Sequence, residues 1–224
     1  MILRCGDALT LMREMPEGSV DLIVTDPPYA TIGGGNRNTP GRPSGMLASN
    51  NGRGGLEIGG MPFTAFMADL FRVLRSPGHA YVFTNTLNLR DALNETVRVG
   101  FGIHNVLTAR KNNVTPNRWY MKNAEFVLFL RKGPAFPINN IGSSKMCHDW
   151  SNPVGRKCHP NEKPVELMRQ YVENSSTPGQ TVLDPFMGAG SVGVACQETR
   201  RSFVGFEIDP VHYATACRRL RRMP

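Results

Sequence analysis

Asp26-Pro27-Pro28-Tyr29 places a carboxylate, two prolines and an aromatic ring in consecutive positions. The tetrapeptide follows the apolar stretch Val20–Thr25, which alternates too little for an exposed strand and reads as a buried parallel one. Two successive prolines cannot extend a strand. They make a stiff exit from it, at the place where α/β folds carry their chemistry. That chemistry suits an exocyclic amine, such as that of adenine or cytosine, whose lone pair is delocalised into its ring. The Asp26 carboxylate and the Pro27 backbone carbonyl, held rigid through Pro28, can each accept one N–H and draw the nitrogen toward tetrahedral geometry. Tyr29 offers a flat face for the base. No metal is required.

A second constellation lies near the C-terminus, in Thr181-Val182-Leu183-Asp184-Pro185-Phe186-Met187-Gly188-Ala189-Gly190-Ser191-Val192-Gly193. It reads as strand, turn and helix. Gly188, Gly190 and Gly193 fit G-x-G-x-x-G, and Glu207 closes the next strand, as in a dinucleotide fingerprint. Asp184 argues against a dinucleotide, because a carboxylate beside a pyrophosphate would repel it. A ligand with a cationic amine gains from Asp184, and one with a ribose diol gains from Glu207. S-adenosylmethionine has both and carries no phosphate.

Four segments in this order resemble the amino-specific DNA methyltransferases with a D-P-P-Y signature, in particular the permuted (beta-type) group whose catalytic half precedes the methyl-donor half. Besides D-P-P-Y, these are Gly6-Asp7, His159-Pro160-Asn161-Glu162-Lys163-Pro164 (the family's H-P-x-x-K-P), Asp184–Ser191 (D-P-F-x-G-x-G), and Gly205-Phe206-Glu207-Ile208-Asp209. The resemblance covers nearly the whole chain. It implies donor contacts at Asp7 and Ala8, at His159, Lys163 and Pro164, at Asp184, Pro185, Phe186, Gly188, Gly190 and Ser191, and at Glu207, Ile208 and Asp209. It also implies methylation of a base in double-stranded DNA that must be flipped out to be reached. D-P-P-Y leans toward adenine N6, since the family's N4-cytosine members more often carry Ser first. N4-cytosine methylation is the nearest alternative. An RNA or protein-amide methyltransferase, which tends to have Asn in place of Asp26, and an NAD-binding oxidoreductase are more distant.

These groups need a scaffold. Residues 2–4 read as a strand and Asp7–Met15 as a short helix. Residues 31–60 are rich in Gly, Asn, Ser, Pro and Arg and read as a long mobile loop. A helix is expected from Pro62 with Phe63, Phe66, Met67, Leu70, Phe71 and Leu74 on one face, stopped by Arg75-Ser76-Pro77-Gly78. Strand His79–Thr84 and helix Leu87–Val97 follow. Ile103–Arg110 and Ala124–Arg131 read as two longer antiparallel strands, and 133–161 as irregular. The helix beginning at Lys163, strand 181–184, helix 191–198, strand 202–207 and a last helix complete the chain. The expected fold class is α/β: a doubly wound, mostly parallel, Rossmann-like sheet with an antiparallel hairpin. One methyltransferase domain is expected over 1–224, with a catalytic half at 1–132, a short target-recognition insert at 133–158 and an S-adenosylmethionine-binding half at 159–224.

The chain of 224 residues is 40% hydrophobic and carries a net charge of +8, which favours a polyanionic partner. Backbone contacts to DNA should come from cations. The candidates are Arg37, Arg42 and Arg53 in the long loop, and Lys111, Arg118, Lys122, Lys145, Arg156 and Lys157 around the insert. Trp119 could stack in the gap left by a flipped base or could be core. The arginines at 218–222 read instead as favourable charge at a helix end. Cys147-His148 and Cys158-His159 lack the usual zinc spacings, so no metal is expected. The five cysteines are scattered and suggest no disulfide frame. No apolar run is long enough to span a membrane, and a cytoplasmic, nucleoid-associated prokaryotic or phage protein is expected. The small insert makes a homodimer on a short palindromic site plausible.

Overall fold

The computed structural model describes residues 1–29, 31–32, 57–58, 60–115, 120, 122–142, 144–150 and 163–221. The elements, in chain order, are β1 (Ile2–Cys5), α1 (Ala8–Arg13), β2 (Val20–Thr25), β3 (Thr31–Ile32), β4 (Glu57–Ile58), a 3-10 turn (Phe63–Ala65), α2 (Met67–Val73), β5 (Leu74–Thr84), α3 (Leu89–Val99), β6 (Gly102–Thr115), β7 (Lys122–Lys132), β8 (Cys147–Trp150), α4 (Val165–Ser175), β9 (Thr181–Asp184), α5 (Ser191–Glu198), β10 (Ser202–Glu207) and α6 (Pro210–Arg221).

Eight strands form one sheet in the order β1-β10-β9-β2-β5-β7-β6-β8. All neighbouring pairs are parallel except β5–β7 and β7–β6, so β7 alone runs backward. From the centre, β9 leads outward through α5 to β10, while β2 leads the other way to β5. The reversal falls between β2 and β9, and a doubly wound sheet opens its ligand crevice at the carboxyl ends of such a pair. Asp26 directly follows β2, and Asp184 is the last residue of β9.

Alternation along the strands divides the core between the two faces. Leu22 and Val24 share one cluster with α4, α5 and α6 residues such as Tyr171, Val194 and Leu220. Ile23 joins Leu11 and Met12 of α1 and Met67 and Leu70 of α2 on the other face. Burial on both faces explains why the central strands read as near-continuous apolar runs.

The α/β sheet with its antiparallel hairpin matches the expectation, and several element bounds differ. The helix expected through Leu74 ends at Val73, and Leu74 already pairs with Val20. The next pair is Leu22 with His79, so Arg75–Gly78 bulge out within β5 instead of ending a helix. Pro77 has no N–H to give a ladder, which suits that bulge. Helix α3 lies two residues later than expected and ends at Gly100, whose φ of 100° closes the turn. Within the stretch expected to be irregular, β8 pairs with β6 as an edge strand. Most of the 31–60 loop lies outside the described residues, apart from the β3–β4 pair.

Candidate active site

The tetrapeptide leaves the sheet as a bent, braced turn. The Tyr29 amide donates to the Pro27 carbonyl at 2.8 Å, and the Met61 amide donates to the Pro28 carbonyl at 2.6 Å. Tyr29 packs against both core clusters. Thr25, the residue before Asp26, donates its hydroxyl to Asp184 Oδ1 at 2.8 Å. One side-chain bond thus joins the ends of the two strands that flank the crevice, across 159 positions of sequence.

On the β9 side, backbone amides hold the acids. Asp184 is 4% exposed, and its Oδ1 also accepts from the Phe186 amide at 3.1 Å. Burial pushes its carboxyl up to about 7, a shift that the Thr25 hydroxyl partly counters. Glu207 accepts from the Gly188 amide at 3.0 Å through Oε2 and from the Asp209 amide at 2.9 Å through Oε1. Gly188 and Gly190 have φ of 50° and 78°, which favour glycine, and a Cβ on Gly188 would enter open space. Gly193 answers a different need: its Cβ would meet Phe203 Cε1 at 2.8 Å, so its absence lets α5 lie close on β10. Pro185 is buried, and Phe186 meets Phe66 edge-on with centroids 5.4 Å apart. Ser191 begins α5 and is buried.

The Gly6 amide donates to the Glu207 carbonyl at 2.9 Å, which brings the β1–α1 turn beside the end of β10. Asp7 caps α1 by accepting from the Thr10 amide at 2.9 Å, and this bond holds its carboxyl below the usual range. Ala8 is buried behind it. Asp209 Oδ1 likewise accepts from the amides of Val211 and His212 at the head of α6, while Ile208, between Glu207 and Asp209, is exposed. Asp7, Ala8, Asp184, Glu207, Ile208 and Asp209, far apart in sequence, therefore share one end of the sheet. An acidic crevice with an open glycine wall could hold a phosphate-free cation and would repel a pyrophosphate.

The β2 side is built from charged side chains. Lys163, two residues before α4, places its ammonium 2.7 Å from Asp26 Oδ2 and 2.7 Å from Glu125 Oε2. Glu125 lies in β7, and its Oε1 pairs with Lys111 of β6. The Lys163 ammonium also stands 5.0 Å over the Phe83 ring. Asp26 Oδ1 is buried with no hydrogen-bond partner among the described residues. Burial raises the Asp26 carboxyl, opposed by Lys163. Burial also opposes the Lys163 charge, but Asp26, Tyr29 and Glu125 outweigh it and hold the ammonium protonated. Tyr29 is pushed well above its ordinary value, by burial first and then by Asp26. Pro164 caps α4 in extended conformation.

Sequence reasoning did not single out Glu125 as a site residue. A signal was present: one acid inside the otherwise apolar strand Ala124–Leu130. Lys111, expected on an open DNA face, is instead paired with Glu125 and lies 5.3 Å over the Trp150 ring. Lys145 is exposed, and Lys122 begins β7. His159, Arg37, Arg42, Arg53, Arg118, Trp119, Arg156 and Lys157 lie outside the described residues. Cys147 is exposed and the adjacent His148 buried on β8, so the two face opposite ways. Among the described residues no helix is long and apolar enough to cross a membrane.

Comparison with known proteins agrees with this geometry. A family model described as DNA methylase, of the N6/N4 methyltransferases, matches residues 20–218. The type II methyltransferase M2.DpnII of Streptococcus pneumoniae is 26% identical over 242 residues, covering 98% of this chain and 89% of that protein. The crystal structure of an M1.HpyAVI–SAM complex superposes with a TM-score of 0.73 at 24% identity, covering 98% of this chain and 99% of the other. The cytosine-N4-specific PvuII DNA methyltransferase superposes with a TM-score of 0.77 at 17% identity, covering 99% and 86%. With the family match spanning both strand ends of the crevice, the chain belongs to the N6/N4 DNA methylase family.

Proposed function

We propose that the protein transfers a methyl group from S-adenosylmethionine to N6 of an adenine flipped out of double-stranded DNA. The observation that carries this reading is the state of Asp26. Lys163 holds Oδ2 at 2.7 Å, while Oδ1 is buried without a partner. A buried acceptor left open is costly unless a donor arrives, and an amino N–H is such a donor. The Pro27 carbonyl spends one lone pair on the Tyr29 amide, leaving the other for the second amino hydrogen. The Tyr29 ring supplies the stacking face.

Bound S-adenosylmethionine supplies a methyl group activated by its sulfonium. Asp184 would face the methionine ammonium, Glu207 and Asp7 would receive the ribose and adenine, and Ile208 would lie against the adenine. The family resemblance assigns the methionine part to His159 and Pro164. With the donor bound, the amine nitrogen held by Asp26 and the Pro27 carbonyl would take the methyl as the C–S bond breaks toward sulfur, and Asp26 would receive the proton that the nitrogen releases. The preference for adenine rests on Asp as the first residue of D-P-P-Y. Lys145 and the cations of the long loop and insert contact the DNA backbone. A second copy completes recognition of a short palindromic site; a monomeric mass on cognate DNA by light scattering would remove this last element. The protein works in the cytoplasm, on the nucleoid.

The test uses tritiated donor and methylation-free duplex DNA. Asp26→Ala is expected to lower methyl transfer by about 10³-fold or more, with donor affinity within about threefold by calorimetry. Retained turnover would refute the role of Asp26.

A further inference from the structure

We infer that Glu125 is a positioning residue for the transfer: backed by Lys111, it draws part of the Lys163 charge away from Asp26 and keeps that carboxylate a strong acceptor for the target amine. The inference rests on the reading of Asp26 as the amine acceptor.

Four side chains of alternating sign follow one another, each from a different part of the fold. They are Lys111 on β6, Glu125 on β7, Lys163 ahead of α4 and Asp26 beyond β2. Lys163 stands at equal distance, 2.7 Å, from one oxygen of each carboxylate. The side chains of Lys163 and Glu125 are 11% and 16% exposed, so water screens their pairing weakly, while Asp26 and Lys111, at 27% and 28%, meet more solvent. An ammonium given wholly to Asp26 would neutralise the charge that attracts the amino hydrogen. Shared between two carboxylates, it fixes the rotation of the Asp26 carboxyl, with Oδ1 left open, and leaves that group net negative. Glu125 reaches no reacting atom and acts through Lys163.

The groups that face Glu125 are Lys163, Lys111 and, beyond Lys163, Asp26 and Tyr29. Their signs give opposite effects for two substitutions. Glu125 makes Asp26 harder to ionise and Lys111 makes it easier. Removing the Glu125 charge yields an Asp26 that ionises at lower pH but accepts more weakly. Removing the Lys111 charge makes Asp26 ionise at higher pH. General loss of packing would not separate the two.

The test is the pH dependence of single-turnover methyl transfer by the full chain on methylation-free duplex DNA, with donor saturating at every pH so that the Asp184 carboxyl, which also faces Asp26, does not set the acid limb, and with the melting temperature of each variant recorded. E125Q is expected to lower the plateau about tenfold or more, with KM for DNA and donor within about threefold. Its acid limb moves down by about half a pH unit or more, and that of K111M moves up by a similar amount. E125D recovers part of the plateau. A wild-type plateau and limb in E125Q, or limbs that move together in the two variants, would overturn the proposal. Failure of the Asp26 reading shows itself separately, as turnover in Asp26→Ala.

Discussion

The two strand ends that flank the crevice hold their acids by different means. On the β9 side, backbone amides a few residues away grip Asp184, Asp209 and Asp7, and a glycine turn meets Glu207. On the β2 side, Asp26 is held by a lysine 137 positions away in the chain, which is itself shared with Glu125 on a hairpin strand. Amide cages are rigid and need only local sequence. Ion pairs need the whole sheet to assemble, and they respond to charge. The β9 side is therefore held mainly by local geometry, while the β2 side is held mainly by charge.

Removing charge should separate the two sides most clearly. Lys163→Met leaves two carboxylates facing each other with little water, and is expected to cost about 3 kcal/mol or more of stability by denaturant unfolding. A loss below about 1 kcal/mol would show that the β2 side does not depend on its ammonium. On the donor side packing is the sensitive quantity. Gly193→Ala presses a Cβ against Phe203 and Leu220 and should cost about 1–3 kcal/mol. A neutral result there would mean that α5 shifts freely.

The smallest expected effect lies in the bond that links the sides. Thr25→Val removes one buried hydrogen bond, worth about 1 kcal/mol. Burial places the Asp184 carboxyl at about 7, and the proposed donor contact needs it ionised to meet the methionine ammonium. Donor affinity should therefore fall as pH drops below neutral. The Thr25 hydroxyl favours the charged form, so its loss should move the midpoint of that fall upward. Calorimetry on either side of neutrality checks both, and an unchanged midpoint would detach Thr25 from the donor site.

The same contrast explains how much was legible in the sequence. Asp184, Gly188, Gly190, Gly193 and Glu207 stand at spacings set by one strand, one turn and one helix, so a reader of the chain meets them together. Asp26 was legible because two prolines mark its strand end. Glu125 and Lys111 were not, because their meeting with Lys163 depends on the β6–β7 pairing and on where α4 begins. The parallel sheet followed from alternating strands and helices. The β8 edge strand did not, since the four residues of Cys147–Trp150 are too few to establish a period. The start of β5 was obscured because Arg75–Gly78 carry turn residues inside a strand.

The measurement that tests the central claim most directly is nucleoside mass spectrometry of methylation-free duplex DNA after incubation with the protein and S-adenosylmethionine. N6-methyladenine is the predicted product. N4-methylcytosine would contradict the assigned base, and DNA free of both would contradict methylation of an exocyclic amine at Asp26.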